Sequence, residues 1–268
     1  VGSISDYLEG QWINHLCGTA YSAPATVYVA LCTADPTDAG TGASMNECAN
    51  SGGYTRKAAA FGAASARAIS NSGTITFDQA SGSWGTVTHW ALVDSATYGA
   101  GNLLAHGALS QSKAIVAGNT PSYAAGALQV SVSAGAWSTY LANAMLDKTF
   151  RAQTYNQPAT YVGLTTTVCS DSAAGTEASG GSYARVLVNK VGGGSPAWAA
   201  ISGGATSNAQ AIAFAAATAS WGTVVAAALF DASSGGNLLC YDNAMGDNAV
   251  ASGDSVTFPI GDFDISVT

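Results

Sequence analysis

The strongest constraint on this chain is that its sequence is written twice. Ser83-Trp84-Gly85-Thr86-Val87 returns as Ser220-Trp221-Gly222-Thr223-Val224, and the landmarks around it keep their order. Tyr7 pairs with Tyr140, Pro24 with Pro158, Tyr54 with Tyr183, Phe77 with Phe214, Asp94 with Asp231, and Asn102-Leu103-Leu104 with Asn237-Leu238-Leu239. A local motif would not stay in step over so many positions. The period of roughly 135 residues far exceeds the ~20–50 of solenoid repeats and sits at the common size of an independent domain. Two tandem homologous domains are expected, residues 1–134 and 135–268, divided near Ser133-Ala134-Gly135-Ala136. Each is long enough for its own core, since a domain of this size buries about two thirds of its unfolded surface. No third domain is expected.

Within one copy, the only helical pattern comes first. Ser5 or Asp6 can cap a helix whose apolar stripe is Tyr7, Leu8, Trp12, Ile13 and Leu16, ending at Gly18. The second copy repeats it, with Ser138 or Thr139 ahead of Tyr140, Leu141, Ala144, Met145 and Phe150. The rest reads as strands and turns. Thr26–Leu31 and Thr160–Leu164 carry β-branched and aromatic residues over strand length. A loop rich in Gly, Asn, Ser and Asp follows each, residues 35–53 in the first copy and a shorter 170–182 in the second. Strands are then expected over 54–61, 69–77 and 86–93. The last of these turns through Asp94–Asn102 and returns over 103–107, and a final hairpin runs from 113–116 through Gly118-Asn119-Thr120 to 128–132. The expected fold is all-β: two tandem β-sandwich domains, jelly-roll-like, each with a short N-terminal helix.

Composition narrows the partners. Charged residues make up 9% of the chain against roughly 25% in an average soluble domain, and the net charge is −8. The eight Lys and Arg are scattered, so no basic patch is expected, and neither nucleic acid nor anionic lipid is an expected partner. A surface of Ala, Ser, Thr and Gly suits packing against other subunits. Cys17, Cys32, Cys48, Cys169 and Cys240 include no Cys-x-x-Cys pair, so a metal site is not expected. Cys32 and Cys48 bracket one Gly-rich loop and can join under oxidising conditions, although buried free thiols are the preferred reading. Val1-Gly2-Ser3-Ile4 lacks the basic start of a signal peptide, and the apolar stretch 224–230 is too short to cross a bilayer.

Candidate chemistry is sparse. His15, His89 and His106 all lie in the first copy, where a serine-nucleophile site would have to be; the second copy has Val225 or Ala226 and Tyr241 in place of the last two, and no Gly-x-Ser-x-Gly turn occurs. The recurring Asp94 and Asp231 resemble a glycosidase pair, but each opens a Gly-containing hairpin where a carboxylate accepts backbone N–H bonds. Asp35 and Asp38 in the first loop, and Asp171 and Glu177 in the second, are oxygen ligands of the kind calcium takes. Gly192-Gly193-Gly194-Ser195 lacks the Lys-Ser/Thr ending of a phosphate loop and reads as a flexible insertion. Trp84 and Trp221 are expected to close one end of each core, with sugar stacking as the functional alternative. No catalytic, cofactor-binding or metal-ligating residue is assigned, and no enzyme activity is expected.

One family resemblance covers nearly the whole chain. Pro24 to Pro36, Gly53-Tyr54-Thr55-Arg56, Ser83 to Trp90 and Gly101 to Leu104 are similar to a group of tailed-bacteriophage virion proteins, the tail-fibre and structural type. Tyr161-Val162-Gly163-Leu164, Gly181 to Arg185, Ser220 to Thr223 and Gly236 to Leu239 carry the resemblance through the second copy. It implies a non-enzymatic building block of the particle, made in the host cytoplasm and placed on the virion surface. The leading expectation is a capsid decoration or cement protein bound to the major capsid protein or other virion proteins, and homo-oligomers are compatible with it. The alternative is a tail-fibre or receptor module binding host glycan through Trp12, Trp90 or Trp198 and the 35–53 loop; a polysaccharide hydrolase is disfavoured.

Overall fold

A computed structural model describes residues 2–267. In the first repeat the elements are β1 (Ser3–Ile4), α1 (Asp6–Cys17), β2 (Val27–Cys32), β3 (Lys57–Ala59), β4 (Ala68–Ser70), β5 (Ile75–Thr76), β6 (Gly85–Val93), β7 (Leu103–Ile115), β8 (Ser122–Tyr123) and β9 (Gln129–Ser131). The second repeat opens with α2 (Thr139–Arg151) and continues with β10 (Thr160–Thr165), β11 (Val186–Val188), β12 (Ala205–Ser207), β13 (Ile212–Ala213), β14 (Gly222–Val224), β15 (Ala226–Phe230), β16 (Leu238–Asp242), β17 (Asn248–Val250), β18 (Thr257–Phe258) and β19 (Asp264–Ser266). The chain is all-β apart from its two helices, with the same plan in each repeat.

The main sheet of the first repeat is antiparallel, in the order β1-β7-β6-β2-β3. Its counterpart runs β11-β10-β15-β16. Short ladders add to these sheets, β4·β9 and β5·β8 in the first repeat and β12·β19, β13·β18 and β14·β17 in the second. The expected hairpin from 113–116 to 128–132 does not form. Residues 113–115 continue β7 and pair with Gly85–Val87, while β9 pairs with β4 and β8 with β5. The reason is local: Ala105 to Ala114 contains only one glycine and no proline, so nothing breaks the strand. The register shift between Val87 and His89 absorbs the extra residues as a bulge. At the same place the second repeat parts into β14 and β15 around Val225, whose N–H is accepted by Thr165 O at 2.9 Å.

The stretches 54–61 and 69–77 give only the three residues of β3 and the short β4 and β5. Gly73 lies inside the second stretch, and Gly62 with the left-handed pair Ala66 and Arg67 separates the two. Both helices start at the serine: Ser5 Oγ accepts the Leu8 N–H and Ser138 Oγ the Leu141 N–H, the N-cap arrangement. Leu8, Trp12, Ile13 and Leu16 are fully buried, as the stripe required; in α2, Leu141, Met145 and Phe150 are buried but Tyr140 is exposed.

Contacts divide the residues into two units that do not follow the sequence repeat. Unit 1 comprises Val1–Glu9, Ser22–Val132 and Asn143–Tyr155; unit 2 comprises Gly10–Tyr21, Ser133–Ala142 and Asn156–Thr268. Each helix thus begins in one unit and ends in the other. No helix among the described residues is long and apolar enough to cross a membrane.

Candidate functional site

The recurring aromatics form one core device in each repeat. Trp84 meets Tyr54 edge-on with ring centroids 5.3 Å apart and Phe77 at 6.3 Å; Trp221 meets Tyr183 and Phe214 at the same 5.3 and 6.3 Å. Each indole N–H donates to a loop carbonyl, Gly52 O at 2.8 Å or Gly181 O at 2.9 Å. The following glycine is obligatory in both, because Gly85 (φ 88°) and Gly222 (φ 85°) lie where an L side chain is strained. Trp84 and Trp221 are buried, so the sugar-stacking alternative fails for them.

It fails as well for the three tryptophans of the glycan-binding alternative. Trp12, Trp90 and Trp198 are all buried. Trp12 packs on Trp137, Trp198 donates to Thr160 Oγ1 at 2.9 Å, and Trp90 lies so close to Gly107 that a Cβ there would meet its ring at 2.6 Å. Tryptophan is the residue type most often read as a glycan platform, but this chain uses these large rings to fill its cores.

A second device joins residues far apart along each repeat. Arg56 uses all five of its N–H donors: Nε and Nη2 grip Glu47 at 2.8 and 2.7 Å, Nη1 binds Ser95 O and Ala100 O, and Nη2 also binds Gly42 O. Tyr54 completes it, donating to Glu47 Oε1 at 2.8 Å while its oxygen accepts the Leu31 N–H. Burial holds the Tyr54 hydroxyl well above its ordinary pKa, so it stays a donor. The second repeat reproduces the node with Arg185, Glu177 and Tyr183, and Arg185 lies 3.5 Å over the Phe230 ring. Glu177 is therefore an ion-pair partner rather than a calcium ligand. The legible signal was Tyr-x-Arg following a loop glutamate in both copies.

Asp94 and Asp231 close their hairpins. Asp94 accepts the Asn102 backbone N–H and side-chain amide, both at 2.7 Å, and Asp231 takes the same two bonds from Asn237 at 2.6 and 2.7 Å. Gly192 and Gly193 form a tight turn closed by Gly193 N to Lys190 O at 2.8 Å.

The histidines are dispersed. His15 is buried and accepts the Tyr21 N–H at 3.2 Å; His89 bonds Thr88 on β6. His106 meets two acids, both from the 35–53 loop. Its Nδ1 lies 3.3 Å from Asp35 Oδ1 and its Nε2 lies 2.9 Å from Asp38 Oδ1. Asp35 and Asp38 are thereby turned onto an imidazole rather than onto each other. Among the described residues no group of three or more His, Cys, Asp or Glu is arranged to hold a metal ion.

Ser3 Oγ stands 3.5 Å from the same Nε2, so a serine, a histidine and an acid do converge. The geometry is nonetheless wrong for a nucleophile. A general base must receive the serine proton at Nε2, and there Asp38 is the nearer partner; Ser3 itself donates to Asp38 at 3.2 Å. With an acid on each ring nitrogen, the cluster is a latch between β7 and the loop. The Asp38 carbonyl also receives the Asp6 N–H at the start of α1. Glu9, one helical turn on, is pushed up to about 7 by burial first and then by Asp6 and Asp38.

In the second repeat the same place is held by a tyrosine. Asp171 O receives the Thr139 N–H, as Asp38 O receives that of Asp6, but Asp171 Oδ1 accepts from the Tyr241 hydroxyl at 2.6 Å. Each unit also opens a groove at one matching position. The first, of about 550 Å³, is lined by Val87, Ile115 and Tyr123 with Lys113 as its charged residue. The second, of about 620 Å³, has Val224, Val250 and Phe258 with Asp242, Asp254 and Asp262. The walls are conserved between repeats, and the charge is opposite.

All five cysteines are free and buried, Cys32 and Cys48 included. Burial, followed by Glu47, pushes the Cys48 thiol up to about 12, which leaves it inert.

Comparison with known families gives one match, made twice. The model of the family described as podophage GP4 fiber I protein gp80 matches residues 3–131 and again residues 136–266. No curated protein matches the chain.

Proposed function

The chain belongs to the podophage GP4 fiber I protein family, and is thus a phage fibre protein and a structural component of the virion; from that premise we propose that it is a non-enzymatic fibre module presenting two versions of one scaffold to neighbouring virion proteins. The observation that carries this reading is where the polar side chains go. Arg56 and Arg185, Glu47 and Glu177, Asp94 and Asp231, and the His106 cluster are each engaged in tying loops to strands. A catalytic acid or base needs an open partner position for substrate, and these groups are closed on one another. The outside is left charge-poor, which favours packing against protein.

The test is localisation on intact particles. Gold-labelled antibody against the chain should mark fibres, at a copy number in the tens or fewer per virion. Release of reducing sugar from host surface polymer on incubation with the purified chain would overturn the non-enzymatic reading.

A second reading, decoration of the capsid through the major capsid protein, is favoured by the tandem duplication itself. One chain with two equivalent domains can fill two equivalent surface positions, the tether raising the local concentration of the second. Hundreds of copies spread over the head would select it.

A further inference from the structure

The helices are divided between the units, and the contacts say what each half does. In unit 1 the receiving surface is the turn that leads into β4. Asp147 Oδ1 accepts the Ala64 N–H and Asn143 Oδ1 accepts the Arg67 N–H, each at 2.9 Å. Phe150 packs on Phe61 with ring centroids 5.2 Å apart, and both rings are buried. This turn holds Ala66 and Arg67 at φ 48° and 66°, a conformation that needs outside support, and the support comes from α2. Arg151 fixes the Asp147 carboxylate at 2.9 Å.

Unit 2 is completed in the same manner by the end of α1. Cys17 O accepts the Val191 N–H at 2.8 Å, and Gln157 Nε2 donates to Asn14 O and Gly18 O. Gly18 is tightly packed, since a Cβ there would stand 2.8 Å from Asn14 Oδ1 and 3.0 Å from the Ile201 side chain. Trp12 packs on Trp137, ring centroids 5.9 Å apart, and Trp137 in turn donates to Ser266 O.

We propose that each repeat carries a helix-receiving surface whose partner is the N-terminal helix of another repeat, and that this chain satisfies both surfaces internally by exchange. The repeat is then an assembly module: in a separate chain the same surface takes the helix of a second copy. Helix ends are well suited to this role, because a short amphipathic helix gains most of its stability from the groove it enters. The inference does not depend on where in the particle the protein sits.

The full chain tests it. Residues 133–136 are exposed, so a protease site can be inserted between Ala134 and Gly135 and cut to completion in the folded protein. The two fragments should remain a one-to-one complex through gel filtration, with the hydrogen exchange of the uncut chain. Their separation, whether as folded monomers or as precipitate, overturns the proposal. In the uncut chain, Asn143→Ala and Asp147→Ala should each speed exchange of the Arg67 and Ala64 amides at least tenfold, leaving the amides of β10 unchanged. Unaltered exchange at both amides, or a loss confined to second-repeat strands, would count equally against it.

Discussion

The two repeats close the same loop with different chemistry. In the first, the acceptor Asp38 is held by the His106 imidazole, with Asp35 on the other ring nitrogen; in the second, Asp171 Oδ1 accepts from the Tyr241 hydroxyl and from the Gly135 N–H. Glu9, whose carboxyl is raised to about 7, has Ala142 as its counterpart. Beneath these differences the aromatic cluster, the arginine node and the Asp–Asn hairpin are the same in both repeats, centroid distances included. Whatever both copies share is therefore scaffold, and what one copy alone has is free to take on a separate task. Duplication provides the control for that distinction within a single chain.

The comparison breaks first if the shared core is unequal in energy. Trp84→Ala and Trp221→Ala each remove a buried indole and should cost about 3–5 kcal/mol apiece, equal to within ~1 kcal/mol, as measured by urea unfolding with site-resolved hydrogen exchange. A strong disparity would mean that matched geometry does not carry matched stability. Next comes the arginine node, where a difference is expected. Side chains of Arg56 and Glu47 are 0% and 4% exposed, whereas Glu177 is 30% exposed. Glu47→Ala should cost about 3–5 kcal/mol, since it leaves a buried guanidinium without its counter-charge. Glu177→Ala, with water able to replace the carboxylate, should cost about 1–2 kcal/mol. Equal losses in the same unfolding experiment would refute the role given to burial.

A third expectation concerns pH and the first repeat alone. The Glu9 carboxyl is raised in the folded chain, so the folded state binds the extra proton. Its contribution is fully present below about 4.5, falls as the pH rises through about 7, and is absent above that. Glu9→Gln should flatten this part of the stability profile in thermal melts between pH 4.5 and 8; an unchanged slope would rule Glu9 out as its source. The smallest effect is at the hairpins. Asp94→Ala and Asp231→Ala should each cost about 1 kcal/mol and leave the strand register intact, read from hydrogen exchange at Asn102 and Asn237.

Much of this scaffold was legible in the residues. The helix caps, the strands β2 and β10, the Trp-Gly start of β6 and β14 and the Asp-led turns each have a local cause, and the duplicated sequence states each of them twice. Four features were not legible. Glu47 lies across a Gly-rich loop from Arg56, and no local rule joins them, although the Glu177–Arg185 recurrence was a usable signal. The continuity of β7 past residue 107 was hidden because Ala and Ser runs favour no element, so pairing with Gly85–Val87 decides it. The tryptophans seemed available for ligands because sequence records their size and polarity but not which face of the chain encloses them. The division of the helices is wholly tertiary: nothing in Thr139–Arg151 reveals that Asp147 faces the backbone of residue 64.

The Arg56 node has a consequence for how such a protein can change. Apart from Glu47, its ligands are the carbonyl oxygens of Gly42, Ser95 and Ala100, groups that every amino acid supplies. At this node the loops are fastened by their backbones, so loop side chains other than those that make bonds of their own, as Asp35, Asp38, Asp94 and Asn102 do, are under no obligation to the fastening. Mutation can rewrite the outward residues of the 35–53 and 94–102 segments while the anchor points stay fixed. A particle facing a shifting set of partners would then need to alter only the lettering on these loops, and the frame beneath could persist through many such revisions.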